Sequence, residues 1–462
     1  MNKPLLYTFL FALISCGTKE KKSSSAYFAG EIVNPTSDYV VLYKDEVVID
    51  SAKLNQDNRF SIALDSLAEG LYHFDHSPEL QYVYLEQGDS IMIRLNTKDF
   101  DESLIFSGKG EEINNFLLEL FLSTEDEPNK ILPLYSLEPS EFCKKIDSLR
   151  NIKLKLLNDL SKETQLSKNA MEIATASIDY HYYTYKERYP FWNRIRNAKK
   201  EITTIPEHFY TYRKDLEYDN NKLTYLRPYY NFMKNHFDNL SYMSCKDGCH
   251  ENHISIVKNK LHFNQHKLHL INDLVTEKGL RDNLFRNVAM DYLINAHEGD
   301  ENNKIFINDF RKLAQNNKHH KEIELLYEGV INLQPSKKLP NISVMNAEGI
   351  SVTLQEIADK EKNAVFYFWT DAQRMHFEGI KKRVSQLTAS KPEYTFIGIN
   401  CNTDPARWQY VLNTSDLDTS KQFRSDDFEN LKNALVLKSL NKGIITKDGV
   451  IIDAFADIYT SF

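Results

Sequence analysis

The sequence predicts a multidomain fold: an all-β sandwich at 26–108, an all-α domain at 109–333 and an α/β domain at 334–462. Three observations predict it. The first part carries short runs of β-branched and aromatic residues cut by turn formers. The second repeats apolar residues at three- and four-residue spacing. The third alternates strands with an amphipathic helix. A chain of 462 residues has room for several domains, and 42% hydrophobic residues supply their cores. Only 15 Gly and 13 Pro favour long helices over tight loops. The net charge is −8 and no long stretch is strongly basic, which argues against a nucleic-acid partner.

Residues 1–16 read as an export signal. Lys3 gives a positive start, and the apolar core 5–14 is too short to span a bilayer. The run Leu13-Ile14-Ser15-Cys16-Gly17 resembles the bacterial lipoprotein box, in which a lipid is joined to the cysteine and the signal is cut before it. That resemblance implies lipidation at Cys16. It also implies a membrane partner through the lipid and a place in the cell envelope, on the periplasmic side or the outer membrane. An ordinary secretory signal is the alternative. Residues 17–25 are polar and unpatterned, hence a flexible tether. No other segment has the unbroken apolar length of a membrane helix.

In the β part, strands are expected at 39–43, 47–49, 60–64, 82–85 and 90–94, with turns at 55–58 and 87–89. This layout, closing at 106–115, resembles the N-terminal β-domain that precedes thioredoxin-like domains in lipoproteins of the Bacteroidetes. Residues 110–333 are expected to be helical throughout, with clear periodicity at 113–121, 143–152, 170–178 and 280–293. The aromatic run 179–192 places Ile178, Tyr182, Tyr185 and Tyr189 on one helical stripe. It reads as helix packing with hydroxyls reaching water, against the alternative of a sugar or peptide platform. His262, His266 and His269 share a helix face opposite most apolar residues and read as a solvated face.

The last part reads hairpin, strand, helix, strand, helices, hairpin. Strands 364–369 and 394–399 should be parallel, joined by a helix from about Asp371 with Met375, Ile380, Val384 and Leu387 on its apolar stripe. A final hairpin should turn at Asp448-Gly449. This order, the Phe368-Trp369 pair and Lys447-Asp448-Gly449 resemble the TlpA-like branch of the thioredoxin superfamily over the last quarter of the chain. That family carries Trp-Cys-x-x-Cys after the first strand. Here Gln373 and His376 stand at the two cysteine positions. The family also has a proline before the hairpin strand, and residues 439–442 have none. Dithiol exchange requires a thiolate, which neither Gln nor His supplies. The helix start retains anion-favouring N–H groups, with Arg374 and His376 as donors, against a plain solvated start.

Two cysteine sites stay open. Cys401 ends the second strand, on the edge that should hold Gln373 and His376; it is a candidate thiol or a small buried residue. Cys245 and Cys249 read first as a disulfide. With His250 and His253 they form an alternative metal site, and Cys249-His250 weakly evokes covalent haem attachment at the wrong spacing. No cofactor is expected.

The first functional expectation is a cell-envelope lipoprotein with a degenerate, non-redox thioredoxin-like domain that binds an envelope protein or peptide. The alternative is an envelope thiol–disulfide oxidoreductase using Cys401 or the Cys245/Cys249 pair. Whether the chain is an enzyme stays open, with the vacant dithiol weighing against it. Phosphate loops, nucleophile elbows and dinucleotide fingerprints are absent from the sequence.

Overall fold

The computed structural model describes residues 25–77, 79–199, 201–245, 257, 259–295, 299–401 and 403–462. The export signal, Cys16, most of the tether, Cys249, His250 and His253 lie outside the described residues. The chain is multidomain, with β-sheets first, helices in the middle and a further sheet last. It divides into two compact units, which do not coincide with the three expected parts. The first runs to Asn197 and includes 203–211 and 222–232; the second comprises 198–202, 212–221 and 233–462.

Eight strands open the first unit: β1 (Ala26–Val33), β2 (Tyr39–Lys44), β3 (Val47–Lys53), β4 (Arg59–Leu64), β5 (Gly70–His76), β6 (Glu79–Leu85), β7 (Ser90–Asn96) and β8 (Ile105–Lys109). They form two four-stranded sheets, ordered β4-β1-β7-β8 and β3-β2-β5-β6. Alternation sets the faces: Phe60, Ile62 and Leu64 of β4 point inward while the residues between them face out. Phe28, Val40, Phe74, Val83 and Ile91 meet them in one buried core. The strands expected at five places lie within β2, β3, β4, β6 and β7; β1, β5 and β8 were not read from the sequence.

After the short α1 (Phe100–Ser103) come α2 (Glu111–Glu125), α3 (Glu127–Ile131), α4 (Pro139–Thr164) and α5 (Lys168–Arg196). Helices α4 and α5 are tied by the bidentate Arg150–Asp179 pair, at 2.7 and 2.9 Å. The tyrosine stripe of α5 is buried, but its hydroxyls do not reach water as expected. Tyr182 donates to Glu127 Oε1 at 2.7 Å and Tyr189 to the Leu137 carbonyl at 2.7 Å. Such internal pairing meets the requirement that a buried hydroxyl be satisfied.

The expectation of helix throughout 110–333 fails at 197–226, where the regular structure is a 3₁₀ stretch, Glu207–Asp215, kinked at Tyr210. Pro206 precedes it and Pro228 follows in the next helix, and residues before proline avoid the α region. That helix is α6 (Arg227–Ser244). The second unit continues with α7 (Lys260–Leu274), α8 (Lys278–Asn295), α9 (Asp300–Leu313) and α10 (His320–Asn332). Leu268, Leu284, Phe306, Phe310 and Ile323 are buried among them.

The last sheet has seven strands: β9 (Ser343–Met345), β10 (Ser351–Thr353), β11 (Asn363–Trp369), β12 (Thr395–Asn400), β13 (Gln422–Arg424), β14 (Lys442–Lys447) and β15 (Val450–Asp457). Interleaved are α11 (Leu354–Ala358), α12 (Arg374–Ser390), α13 (Pro405–Thr414) and α14 (Phe428–Ala434). The order is β10-β9-β13-β12-β11-β14-β15. Strands β11 and β12 are parallel, as expected, and β14 and β15 form the hairpin turned at Asp448 (φ 49°) and Gly449 (φ 76°).

Helix α12 begins at Arg374, three residues later than expected. Its buried stripe is Phe377, Ile380, Val384 and Leu387. Met375 does not belong to it: the side chain is 92% exposed. It lies two positions from Phe377 and five from Ile380, spacings that turn it away from the core at 3.6 residues per turn.

Candidate functional site

The carboxyl ends of β11 and β12 and the starts of α12 and α13 share one edge of the last sheet, where ligands of open α/β sheets bind. Beneath this edge one face of the sheet is polar yet buried. Trp369 Nε1 donates to Gln422 Oε1 at 3.0 Å, and Gln422 Nε2 donates to the Tyr367 hydroxyl at 3.0 Å. The Gln422 amide crosses Gly398, where an added Cβ would sit 2.0 Å from Gln422 Oε1. Glycine is required there by close approach. Asn400 continues the same face, paired in the ladder with Trp369 and Arg424. Its amide is fully buried, and neither of its polar atoms has a partner among the described residues. The indole nitrogen of Trp408 on α13 is unpaired as well, 5.9 Å separating the Arg424 guanidinium from that ring.

Above this layer sits the start of α12. Gln373 is the N-cap residue, exposed and without a side-chain capping bond. Arg374 and Met375 are exposed too. Asp371, in the loop after β11, pairs with Arg407 on α13, and the Arg407 guanidinium lies 5.2 Å from the Tyr410 ring. His376 turns inward, beside Leu440 and Asn441 of the segment that lacks the expected proline. Both ring nitrogens are buried, and neither reaches hydrogen-bond geometry. Burial holds its pKa below the ordinary histidine value, against a smaller opposite effect of Asn441 and Leu440. With both nitrogens covered, the ring does not reach an anion at the helix start, so His376 does not serve as an anion donor there.

Lys442 follows Asn441 and also turns inward. Its Nζ donates to the carbonyls of Leu435 (2.6 Å) and Val436 (3.3 Å) just past α14, and lies 4.2 Å from the Phe455 ring centre. Lysine commonly satisfies the last carbonyls of a helix in this way. Burial pushes its pKa down to about 7.

The cysteines divide. Cys401 lies at the end of β12, on the edge shared with Gln373 and His376, but is 1% exposed. Its thiol points to the Ile399 carbonyl at 3.7 Å, and burial pushes its pKa up to about 12. Cys143 on α4 is a free thiol beside Asp147, its pKa also raised by burial. Cys245 is disulfide-bonded; its expected partner, Cys249, lies outside the described residues. His262 and His266 stack on α7 at 6.5 Å, and His266 Nε2 is 3.0 Å from the Ser244 hydroxyl. Among the described residues no group of three or more His, Cys, Asp or Glu is placed to hold a metal ion. Sequence reasoning missed Gln422, Gly398, Asn400 and Lys442, because nothing in their local pattern marks side chains that meet only across the sheet.

No family model matches the chain, and no curated protein matches it. Solved structures similar to it are thioredoxin-like proteins, at low identity and over part of the chain. A thioredoxin-like protein from Bacteroides caccae is 14% identical, covering 56% of this chain and 92% of that one, with a TM-score of 0.35. The thioredoxin domain of a thiol-disulfide oxidoreductase from Bacteroides vulgatus is 18% identical over 26% of this chain and 86% of that one, with a TM-score of 0.23. An exposed lipoprotein thioredoxin from Streptococcus pneumoniae is 11% identical over 25% and 87%, with a TM-score of 0.21.

Proposed function

We propose that the chain is a lipid-anchored cell-envelope protein whose C-terminal thioredoxin-like domain binds a protein or peptide without redox chemistry. The observation that carries this reading is the occupancy of the edge: Gln373 and His376 start α12, and Cys401 is a buried thiol. Burial pushes its pKa up to about 12, which keeps Cys401 in the thiol form at neutral pH. What the edge offers a partner is contact surface. Met375 and Tyr410 are exposed, flanked by the Asp371–Arg407 pair. Aromatic and methionine side chains are enriched in the cores of protein interfaces. Anchoring at Cys16 and an envelope location rest on the N-terminal signal; among the described residues no helix is long and apolar enough to cross a membrane.

The second reading is an envelope thiol–disulfide oxidoreductase, and the disulfide at Cys245 is the observation in its favour. Reduction of insulin by dithiothreitol separates the two. The binding reading expects no acceleration by the protein, and no change on Cys401→Ser or Cys245→Ser. Acceleration that one of these variants abolishes would establish the second reading instead. Binding is then tested with a fluorescently labelled unfolded polypeptide, reduced and carboxymethylated α-lactalbumin. Met375→Asp should weaken it at least fivefold, and equal binding by both proteins would remove the edge from the interface.

A further inference from the structure

The first unit holds a cavity of about 600 Å³, within the range of about 300 to 1,000 Å³ usual for small-molecule sites. It lies between the β5–β6–β8 side of the sandwich and helices α2, α3, α5 and the start of α6. Its wall is apolar and rich in rings: Leu117, Phe121, Leu132, Tyr135 and Trp192 line it. Tyr135 and Trp192 stack at 5.9 Å with a 22° interplanar angle. Rings locked against one another make a firm apolar surface that does not collapse when empty.

The charged groups in this wall are unequal. Arg188 and Arg227 line it, against one carboxylate, Glu125; His181 lines it as well. His181 is fixed in place, Nε2 to Glu127 Oε2 at 2.8 Å. Arg227 opens α6, so its guanidinium stands where the helix dipole adds positive potential. It lies 5.9 Å from the Phe121 ring and has no carboxylate partner among the described residues. The Tyr135 hydroxyl, in a residue 4% exposed, has no hydrogen-bond partner among the described residues either. An apolar chamber with an unneutralised guanidinium and a spare hydroxyl is complementary to an apolar molecule bearing one anionic group.

We propose that this cavity binds an amphipathic carboxylic acid, its apolar body against Leu117, Leu132 and Trp192 and its carboxylate at Arg227. A planar carboxylate suits the fork of an arginine. The proposal concerns a small-molecule site in the first unit and does not depend on what the C-terminal edge does.

The test is calorimetric titration of the purified protein at pH 8 with three probes of equal chain length: laurate, dodecanol and dodecylamine. A fourth probe, 1-naphthylacetate, separates an aliphatic from an aromatic preference. Laurate or naphthylacetate should bind with one-to-one stoichiometry, at least tenfold more tightly than dodecanol, and dodecylamine should be weakest. Arg227→Gln, an exposed position, should weaken the acid at least tenfold and leave dodecanol unchanged. Leu117→Trp should block all binding by filling the chamber, its melting curve confirming that it folds. Absence of binding by both acids overturns the proposal. So does equal affinity for laurate and dodecylamine, or an acid affinity untouched by Arg227→Gln.

Discussion

Trp369 and Gln422 are joined by a 3.0 Å hydrogen bond across the bare backbone of Gly398. The bond works only because residue 398 has no side chain. An added methyl group would meet Gln422 Oε1 at 2.0 Å and the Tyr367 hydroxyl at 2.7 Å. Gly398→Ala must therefore displace the amide and leave buried partners unpaired. A loss of about 2 to 3 kcal/mol is expected, from overpacking and a broken buried hydrogen bond. Urea unfolding measures it, and a change below about 0.5 kcal/mol would show that Gln422 moves aside freely.

Histidine 376 gives a pH dependence of known sign. Burial lowers its folded-state pKa, so below about pH 6.5 the unfolded chain takes up a proton that the folded protein resists. Its contribution to stability is full at neutral pH and declines on acidification. His376→Gln should lose less stability than the natural protein between pH 7 and pH 5. The sign of the difference is what the pH profiles test. Parallel pH profiles would disprove it.

Lysine 442 acts in the opposite pH range. With a folded pKa of about 7 against an ordinary value of 10.5, the unfolded chain carries the extra proton above pH 7. Stability from this group should therefore rise from pH 7 to pH 9. Lys442→Met removes the rise, so the gap in melting temperature between variant and natural protein should change across that interval. A constant gap would mean that the Leu435 and Val436 carbonyls hold the lysine charged throughout.

Aspartate 89 sits just before β7 and accepts the Glu86 N–H at 2.7 Å. Burial raises its pKa to about 6, opposed by the Glu86 N–H bond and aided by a smaller effect of the Glu86 charge. A raised carboxylate pKa costs stability at neutral pH, a cost removed as pH falls through 6 toward 3.8. Asp89→Asn keeps an acceptor oxygen and removes the charge. It should stabilise the protein by about 1 kcal/mol at pH 7, after allowance for screening, and by much less at pH 4. Destabilisation at pH 7 would show that the charge serves an attraction not described above.

Legibility in the sequence followed the range of the forces involved. The parallel pair at 364–369 and 394–399 was legible because strands buried on both faces read as unbroken apolar runs. The Asp448-Gly449 turn was legible because its positive φ angles demand such residues. Strand β5 carries His73, Asp75 and His76 among its apolar residues, which hides its period. Met375 was misplaced because hydropathy alone does not distinguish a core residue from an exposed one two positions away on a helix. The place of Gln373 and His376 at the start of α12 could be read from local spacing. The burial of Cys401 could not, because it depends on what covers the end of β12. The cavity was out of reach altogether: its wall gathers residues from 71 to 231, and no local period marks them.

The three tryptophans are divided in a way that makes the protein its own optical probe. Trp369 and Trp408 are sealed in the second unit, while Trp192, in the first, is 38% exposed. Light emitted from the two interior indoles should be blue and insensitive to iodide, whereas the third should emit to the red and be quenched. Unfolding of the first unit would then register as a change in the red, quenchable signal while the blue one persists. Each half of the chain can be watched melting in the intact molecule, with no label attached.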